Sequence, residues 1–296
     1  MAASPSSAAS RRFSRLIGLS VVGAVLTTVL AGCSVEDAFY FGWPRTQPSP
    51  QSEQMFDMWI YSAIAALAVG VFVWGLIFWC VIRYRKKGEE LPPQTRYNLP
   101  MELLFTVTPF IIIAVLFYYT AIIQSNVTKV DENPDQTIQV TAFKWNWQFQ
   151  YPATGTDPNA KDAEDVTTTG DSDIIPILVV PTGQNIRFLE DSADVIHSFW
   201  VPDLLFKRDV IPGVTNQFQV TINIPGAYVG RCAELCGTYH SMMNFEVRAV
   251  PLDDYNAYIQ HRVDGMTTQD ALSAIGQEPY AVTTKPFDTD RQAEQG

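Results

Sequence analysis

The chain has 296 residues, enough for one or two domains. It is 47% hydrophobic and 17% charged, with four Cys and three His, which suits a protein lying partly in a membrane and excludes a disulfide-dense secreted scaffold. Its net charge of −11 is unevenly spread: from residue 124 onward 24 Asp and Glu stand against 11 Lys and Arg, a balance of −13. Such a surface is a poor nucleic-acid binder, and it serves either solubility or the steering of a basic protein partner.

At the N-terminus Arg11, Arg12 and Arg15 precede an apolar run at 16–30, which ends in Ala31-Gly32-Cys33. This is the pattern of a secretory signal peptide. The run is short for a spanning helix, which takes roughly 20 apolar residues. LAGC resembles the bacterial lipobox, which implies cleavage of a leader at 1–32 and a lipid on the Cys33 sulfur, followed by an extracytoplasmic segment at 33–56. Two charge-free stretches, 58–82 and 103–123, then predict a two-helix transmembrane hairpin over 57–123. Between them RYRKKGEELPPQTR carries Arg83, Arg85, Lys86, Lys87 and Arg96 against Glu89 and Glu90, a basic loop that belongs on the cytoplasmic side. Everything after about 124 is therefore expected outside the plasma membrane of a bacterium, and the lipobox requires the same orientation. Cys80, near the cytoplasmic end of the first span, reads as a membrane-packing residue.

The outer domain, 124–264, reads mostly as strands. TIQVTAFKW, NIRFLED, NQFQVTI, AYVGRC and NFEVRAV are short, rich in β-branched and aromatic residues and often alternating. Turns at Pro181, Pro212 and Pro225 punctuate them, so a sandwich or Greek-key barrel is expected. LDDYNAYIQHRV has helical spacing, with Asp253 and Asp254 suited to its first turn and His261 expected on the surface. The stretch 152–174 looks like an acidic insert and a docking surface. The last residues, 265–296, are polar and read as an extended or disordered tail.

Residues 232–243, CAELCGTYHSMM, crowd two cysteines, a histidine and a methionine together. A Cys232–Cys236 disulfide is permitted outside the membrane but leaves His240 and Met243 unexplained, and also His197 in DVIHSFWVP. Zinc accepts Cys and His, but thioether sulfur is not among its usual ligands. Copper takes thiolate, imidazole and thioether together. A second thiolate on a tight C-x3-C loop lets each sulfur bridge two coppers, with the Glu234 carbonyl available for a remaining position.

The motif C-x-E-x-C-x3-H-x2-M, with DVIHSFWVP and KRDVIPG beside it, resembles subunit II of the haem–copper oxidases, the cytochrome c oxidase type, over roughly 55–260. The resemblance implies a membrane-anchored α + β chain: the helical hairpin followed by an extracytoplasmic cupredoxin-like Greek-key β-barrel. It implies a dinuclear copper centre of the CuA type held by His197, Cys232, the carbonyl of Glu234, Cys236, His240 and Met243. The Glu234 side chain would hold a magnesium ion shared with subunit I. KWNWQF resembles the aromatic segment that receives the electron, which implies electron input at Trp145 with Trp147 beside it. The family has an aromatic where this chain has Asn146, and because the two tryptophans are two apart they are expected on one sheet face, where packing competes with electron input for Trp147. In NLPMELLFTVTP, Glu102 matches the mouth of a proton path into subunit I; the bland alternative places it among lipid headgroups, and Phe105 stands where the family has Trp. The implied partners are subunits I and III, haem in the partner subunit, membrane lipid and a c-type cytochrome, which the lipid anchor and acidic insert suit as a membrane-tethered donor in a larger respiratory assembly. Arg208 and Arg231 are candidates for coupling copper to haem propionates. Two alternatives are a quinol-oxidase-type subunit II, which needs no copper, and a membrane-anchored copper-carrier lipoprotein, which needs exchangeable ligands.

Overall fold

The computed structural model describes residues 46–152 and 165–285, with residues 20, 40 and 42–44. The leader apart from residue 20, Cys33 and the middle of the acidic insert lie outside the described residues. Both expected spans are helices, α1 (Pro50–Arg83) and α2 (Leu99–Val127), each longer than its charge-free stretch because polar caps extend it. Ser49 starts α1: its hydroxyl accepts from the Ser52 amide at 3.0 Å, and the Ser52 hydroxyl accepts in return from the Ser49 amide at 3.1 Å. Pro50 then fits the first turn, where no amide proton is needed. At α2, Asn98 Oδ1 accepts from the Met101 amide, and Glu102 Oε1 accepts from the Asn98 amide at 3.1 Å. Large apolar side chains such as Trp74, Phe78, Phe110 and Phe117 point outward, as a surface for lipid and partner helices requires.

The outer domain has ten strands among the described residues: β1 (Gln136–Phe143), β2 (Asn146–Tyr151), β3 (Val166–Thr169), β4 (Ile177–Pro181), β5 (Asn185–Ser192), β6 (His197–Val201), β7 (Phe206–Val210), β8 (Asn216–Thr221), β9 (Gly226–Cys232) and β10 (Asn244–Val250). They form two five-stranded sheets, ordered β3-β2-β1-β5-β8 and β4-β10-β9-β6-β7. Within each sheet one pair is parallel, β1 with β5 and β4 with β10, and the rest are antiparallel, so the chain crosses between sheets as the sandwich reading expected. The inward faces meet on an aromatic cluster of Trp147, Phe149, Phe188, Phe199, Phe218 and Phe245, with Phe199 and Phe245 stacked at 4.6 Å. β4, ILVVP, is buried along its whole length because helix α3 (Leu252–Val263) covers its second face. A strand buried on both faces loses the alternation that marks a half-exposed one.

Three expectations need correction. The acidic stretch 152–174 overreaches, since 166–169 is strand β3, paired to β2 from Gln148↔Thr169 to Tyr151↔Val166. The C-terminal stretch is ordered through 285: helix α4 (Thr268–Ala274) follows α3, and the segment after it is fixed by a buried pair on β10. Glu246 accepts from both guanidinium nitrogens that Arg248 presents to it, from the Val282 amide at 2.7 Å and from the Thr283 amide and hydroxyl at 2.8 Å. Finally, Trp145 lies in the β1–β2 turn and not in a strand, so it does not share a sheet face with Trp147.

The anchor is tied to the barrel at both ends. The Asn223 amide donates to the Pro48 carbonyl at 2.7 Å, just before α1. After α2, Asp131 exchanges two hydrogen bonds with Gln219 of β8, amide to Oε1 at 2.9 Å and carbonyl from Nε2 at 2.8 Å. These contacts set how the β-domain stands on the hairpin.

Candidate metal centre

Strand pairing brings the two distant pieces of the site together. β6 begins at His197 and β9 ends at Cys232, and the antiparallel register Phe199↔Cys232 sets them side by side. The loop after β9 then supplies Cys236, a short 3-10 turn at His240–Met242, and Met243 before β10 starts. Three backbone bonds close this loop: Cys232 N to Met243 O at 3.0 Å, Ala233 N to Ser198 O at 3.0 Å and His240 N to Gly237 O at 3.2 Å.

All six implied ligands converge. Cys232 Sγ lies 3.8 Å from His197 Nδ1, 3.3 Å from the Glu234 carbonyl oxygen and 3.9 Å from Cys236 Sγ. Cys236 Sγ lies 3.6 Å from His240 Nδ1 and 3.9 Å from Met243 Sδ. Both thiols are free, at a separation far beyond the roughly 2.05 Å of a disulfide. Donor atoms sharing a metal at bond lengths near 2.0–2.3 Å stand roughly 3.3–3.8 Å apart, so these spacings suit first-row metal ligation. Two thiolates, two imidazoles and a thioether make the donor set compatible with copper.

The groups behind the ligands decide their chemistry. Asp194 Oδ1 lies 2.8 Å from His197 Nε2; a carboxylate only accepts, so Nε2 carries the proton and the Nδ1 lone pair faces Cys232. Burial opposes a charged imidazole, yet hydrogen bonding to Cys232 and Asp194 raises the His197 pKa. Without a metal, burial likewise opposes the Cys232 thiolate, but passing its proton to His197 Nδ1, which then donates back to the sulfur, together with backbone hydrogen bonds at Ser198 and Glu234, brings that thiol down to about 7. Burial together with the adjacent Cys232 pushes Cys236 up to about 12. One thiol is thus prepared as a thiolate, and the other gives up its proton when a metal binds.

The two tryptophans have separate tasks. Trp147 is fully buried; it packs edge-on against Phe199 and Phe245, and its indole N–H donates to the Met243 carbonyl at 3.3 Å. It holds the thioether end of the loop. Trp145 is partly exposed, packs edge-on against Tyr239 at 4.9 Å and donates from Nε1 to the Cys236 carbonyl at 3.3 Å. It is one hydrogen bond from the backbone of a candidate ligand and also reaches the surface. Asp194, Tyr239 and Gly237 were missed in sequence; only Asp194, three residues before a candidate ligand, left a signal there.

The remaining candidates are scattered. The Glu234 side chain is exposed beside the centre. Glu102 is on α2, where its carboxylate caps the helix. Arg231 is exposed on β9, whereas Arg208 shares the inward face of β7 with Phe206 and Val210, so the two do not form one surface pair.

A two-sheet β-domain that holds a largely buried Cys, His and Met cluster, on a two-helix membrane anchor, defines a membrane-bound cupredoxin-type domain. Comparison with known proteins narrows this. The family description "Cytochrome C oxidase subunit II, transmembrane domain" matches residues 44–122, and "Cytochrome C oxidase subunit II, periplasmic domain" matches residues 136–250. Cytochrome c oxidase subunit 2 of Mycobacterium tuberculosis (strain H37Rv) is 44% identical over 94% of this chain and 90% of its own length. Probable cytochrome c oxidase subunit 2 of Streptomyces avermitilis is 40% identical over 83% and 86%. Among solved structures, the periplasmic domain of subunit II of cytochrome oxidase from Bradyrhizobium japonicum is similar at 24% identity, covering 47% of this chain and all of that one, with a TM-score of 0.39. The chain belongs to the cytochrome c oxidase subunit II family and is a component of a terminal oxidase, anchored by two transmembrane helices with its C-terminal domain outside the cytoplasm.

Proposed function

We propose that His197, Cys232, the Glu234 carbonyl, Cys236, His240 and Met243 hold a pair of coppers, and that this centre accepts electrons from a c-type cytochrome and delivers them to haem in subunit I. The observation that carries this reading is the division of the donors. Cys232 has His197 and the Glu234 carbonyl at hand, Cys236 has His240 and Met243, and the two sulfurs face each other at 3.9 Å. Each sulfur therefore reaches two half-sites. Copper bound there would supply a one-electron couple.

The chain's own residues do the rest. Asp194 fixes the His197 tautomer, Trp147 fixes the Met243 carbonyl, and His197, Cys232, Cys236 and Met243 are buried, which limits the approach of water. A rigid donor shell changes little between redox states, which favours fast transfer. Trp145 is the electron input, joined to Cys236 through its carbonyl, and the acidic surface attracts a basic donor. Trp147 acts by packing. The exposed Glu234 carboxylate is left for magnesium at the subunit I boundary, and Glu102 for the mouth of a proton path. The leader 1–32 with a lipid on Cys33, and docking to subunit III or in a larger assembly, belong to the same reading. Burial of both thiols, His197 and Met243 does not suit a carrier that must hand copper on, and a quinol-oxidase-type subunit has no use for the complete donor set.

The test is electron paramagnetic resonance of the copper-loaded, detergent-solubilised full chain. One unpaired electron shared equally by two copper nuclei, with the sharing lost in Cys236→Ser, is the expected result. Hyperfine structure from a single nucleus in the unaltered chain would overturn the dinuclear reading.

A further inference from the structure

Between residues 46 and 128 every Lys and Arg lies in one short stretch at the cytoplasmic end of the hairpin: Arg83, Arg85, Lys86, Lys87 and Arg96. These five cations stand against Glu89 and Glu90, a balance of +3. Topology asks only that such charge be present on this side; it does not say what the charge meets. Nothing in the chain covers it, because every residue from 81 to 98 is exposed. Lys86 pairs with Glu89 at 3.2 Å, but 95% of the Glu89 side chain is open to solvent, and a pair so exposed contributes little. The other four cations have no carboxylate partner among the described residues.

The loop is also longer than its turn requires. Helices α1 and α2 pack against each other. Packed helices stand about 8–10 Å apart, a gap that about two to five residues close. Residues 84–98 have no helix or strand, and at roughly 3.3 Å each they reach far beyond that gap. The surplus lets the segment lie along the membrane surface. Its uncharged side chains suit that depth. Tyr84 and Tyr97 stand where the chain leaves α1 and approaches α2, and both are exposed. Each has an arginine over its ring, Arg83 at 5.8 Å from the Tyr84 centroid and Arg96 at 5.2 Å from the Tyr97 centroid. Leu91, between them, is 86% exposed. Tyrosine favours the headgroup level, and a guanidinium stacked on it is held there with N–H groups left for phosphate oxygens.

We propose that the 83–96 loop binds the phosphodiester headgroups of anionic lipid in the cytoplasmic leaflet. Arg83 and Arg96 are the fixed cations at its two ends, and Arg85, Lys86 and Lys87 gather further headgroups. The occupant follows from charge and place: the cluster is tethered at both ends to spanning helices, so it meets headgroups at high local concentration, and each cation near an anionic leaflet adds attraction. No residue of the loop is one of the six metal donors, so the proposal stands or falls apart from the copper reading.

The experiment reconstitutes the full chain in phosphatidylcholine membranes with a trace of spin-labelled phosphatidylglycerol or phosphatidylcholine, and reads the motionally restricted fraction by electron paramagnetic resonance. Phosphatidylglycerol should associate about threefold or more in preference to phosphatidylcholine at low ionic strength. The preference should shrink as salt shortens the Debye length from about 30 Å to about 3 Å. A triple variant, Arg85→Gln with Lys86→Gln and Lys87→Gln, should lose most of the preference at unchanged Tm, since all three side chains are exposed. In the assembled oxidase, a water-soluble ester should acylate Lys86 and Lys87 more slowly when phosphatidylglycerol is present than in phosphatidylcholine alone. Equal association of the two lipids, or a preference indifferent to salt or to the triple variant, would overturn the proposal. So would equal protection of both lysines in the two membranes, the result expected if an acidic partner subunit covers the loop.

Discussion

Replacing Glu246 by Gln changes one oxygen into an amino group at a fully buried position where five hydrogen bonds converge. Oε1 accepts from two Arg248 nitrogens; Oε2 accepts from Val282 N at 2.7 Å, Thr283 N at 2.8 Å and Thr283 Oγ1 at 2.8 Å. Every partner is a donor, so either amide orientation sets the new NH₂ against donors, facing Arg248 or facing the 282–283 backbone. The substitution also leaves the buried Arg248 cation without its counter-charge. Its other bonds, to the Glu278 carbonyl at 3.1 Å and the Tyr280 carbonyl at 3.3 Å, are to neutral groups. Removing one partner of a buried ion pair costs about 3–5 kcal/mol, which at roughly 2–4 °C per kcal/mol is a fall in Tm of roughly 6–20 °C. Thermal unfolding of the solubilised full chain measures it, and limited proteolysis should show the 276–285 segment released. Side chains alternate along β10, so Glu246 points away from the face that carries Phe245 and Val247 into the core, and the copper spectrum of the folded variant should be unchanged. A loss within about 0.5 kcal/mol, with unaltered proteolysis, would refute this account of how the C-terminus is held.

Glu190 offers a pH test. Both its oxygens are buried without a hydrogen-bond partner, and burial holds the carboxyl well above the usual range, with Arg208 opposing and Asp209 reinforcing the shift. The folded state therefore binds this proton more tightly than the unfolded one. Its contribution is complete below the ordinary carboxylate value of about 4.3 and is lost as pH rises through the raised value. The Tm advantage of Glu190→Gln over the unaltered chain should grow with pH across that window; parallel stability curves would refute it. At Gly237, φ is +127° and an added Cβ would sit 3.1 Å from Trp145 Nε1. Gly237→Ala should cost about 1–3 kcal/mol and displace the indole from the Cys236 carbonyl. Stopped-flow reduction by cytochrome c should slow while the copper spectrum persists, and an unchanged rate would remove Trp145 from the electron route.

Where the chemistry is local in sequence, the sequence determined it. Cys232, Cys236, His240 and Met243 lie within one loop, and their identities already narrowed the metal before any fold was known. The two spans were equally legible, because a bilayer demands length and apolarity and nothing else. Alternation marked β1, β5 and β9, each with one face buried and the other less so, and it survives in the sequence of β10 because the buried Glu246–Arg248 pair occupies that strand's second face. It could not mark β4, buried on both faces, or place Trp145, because a turn interrupts the period that would have aligned it with Trp147.

Only the tertiary structure decided matters that depend on partners distant in the chain. His197 faces Cys232 through a strand register 35 residues apart, and its proton is placed by Asp194. The C-terminal segment carries no apolar period, so composition made it a tail; backbone amides bonding a buried carboxylate order it instead. Glu190 looks like an ordinary strand residue until the sheets close around it. Propensity and pattern record what a residue prefers by itself; burial without a partner is a property of the packed neighbours, and no single stretch of chain encodes it.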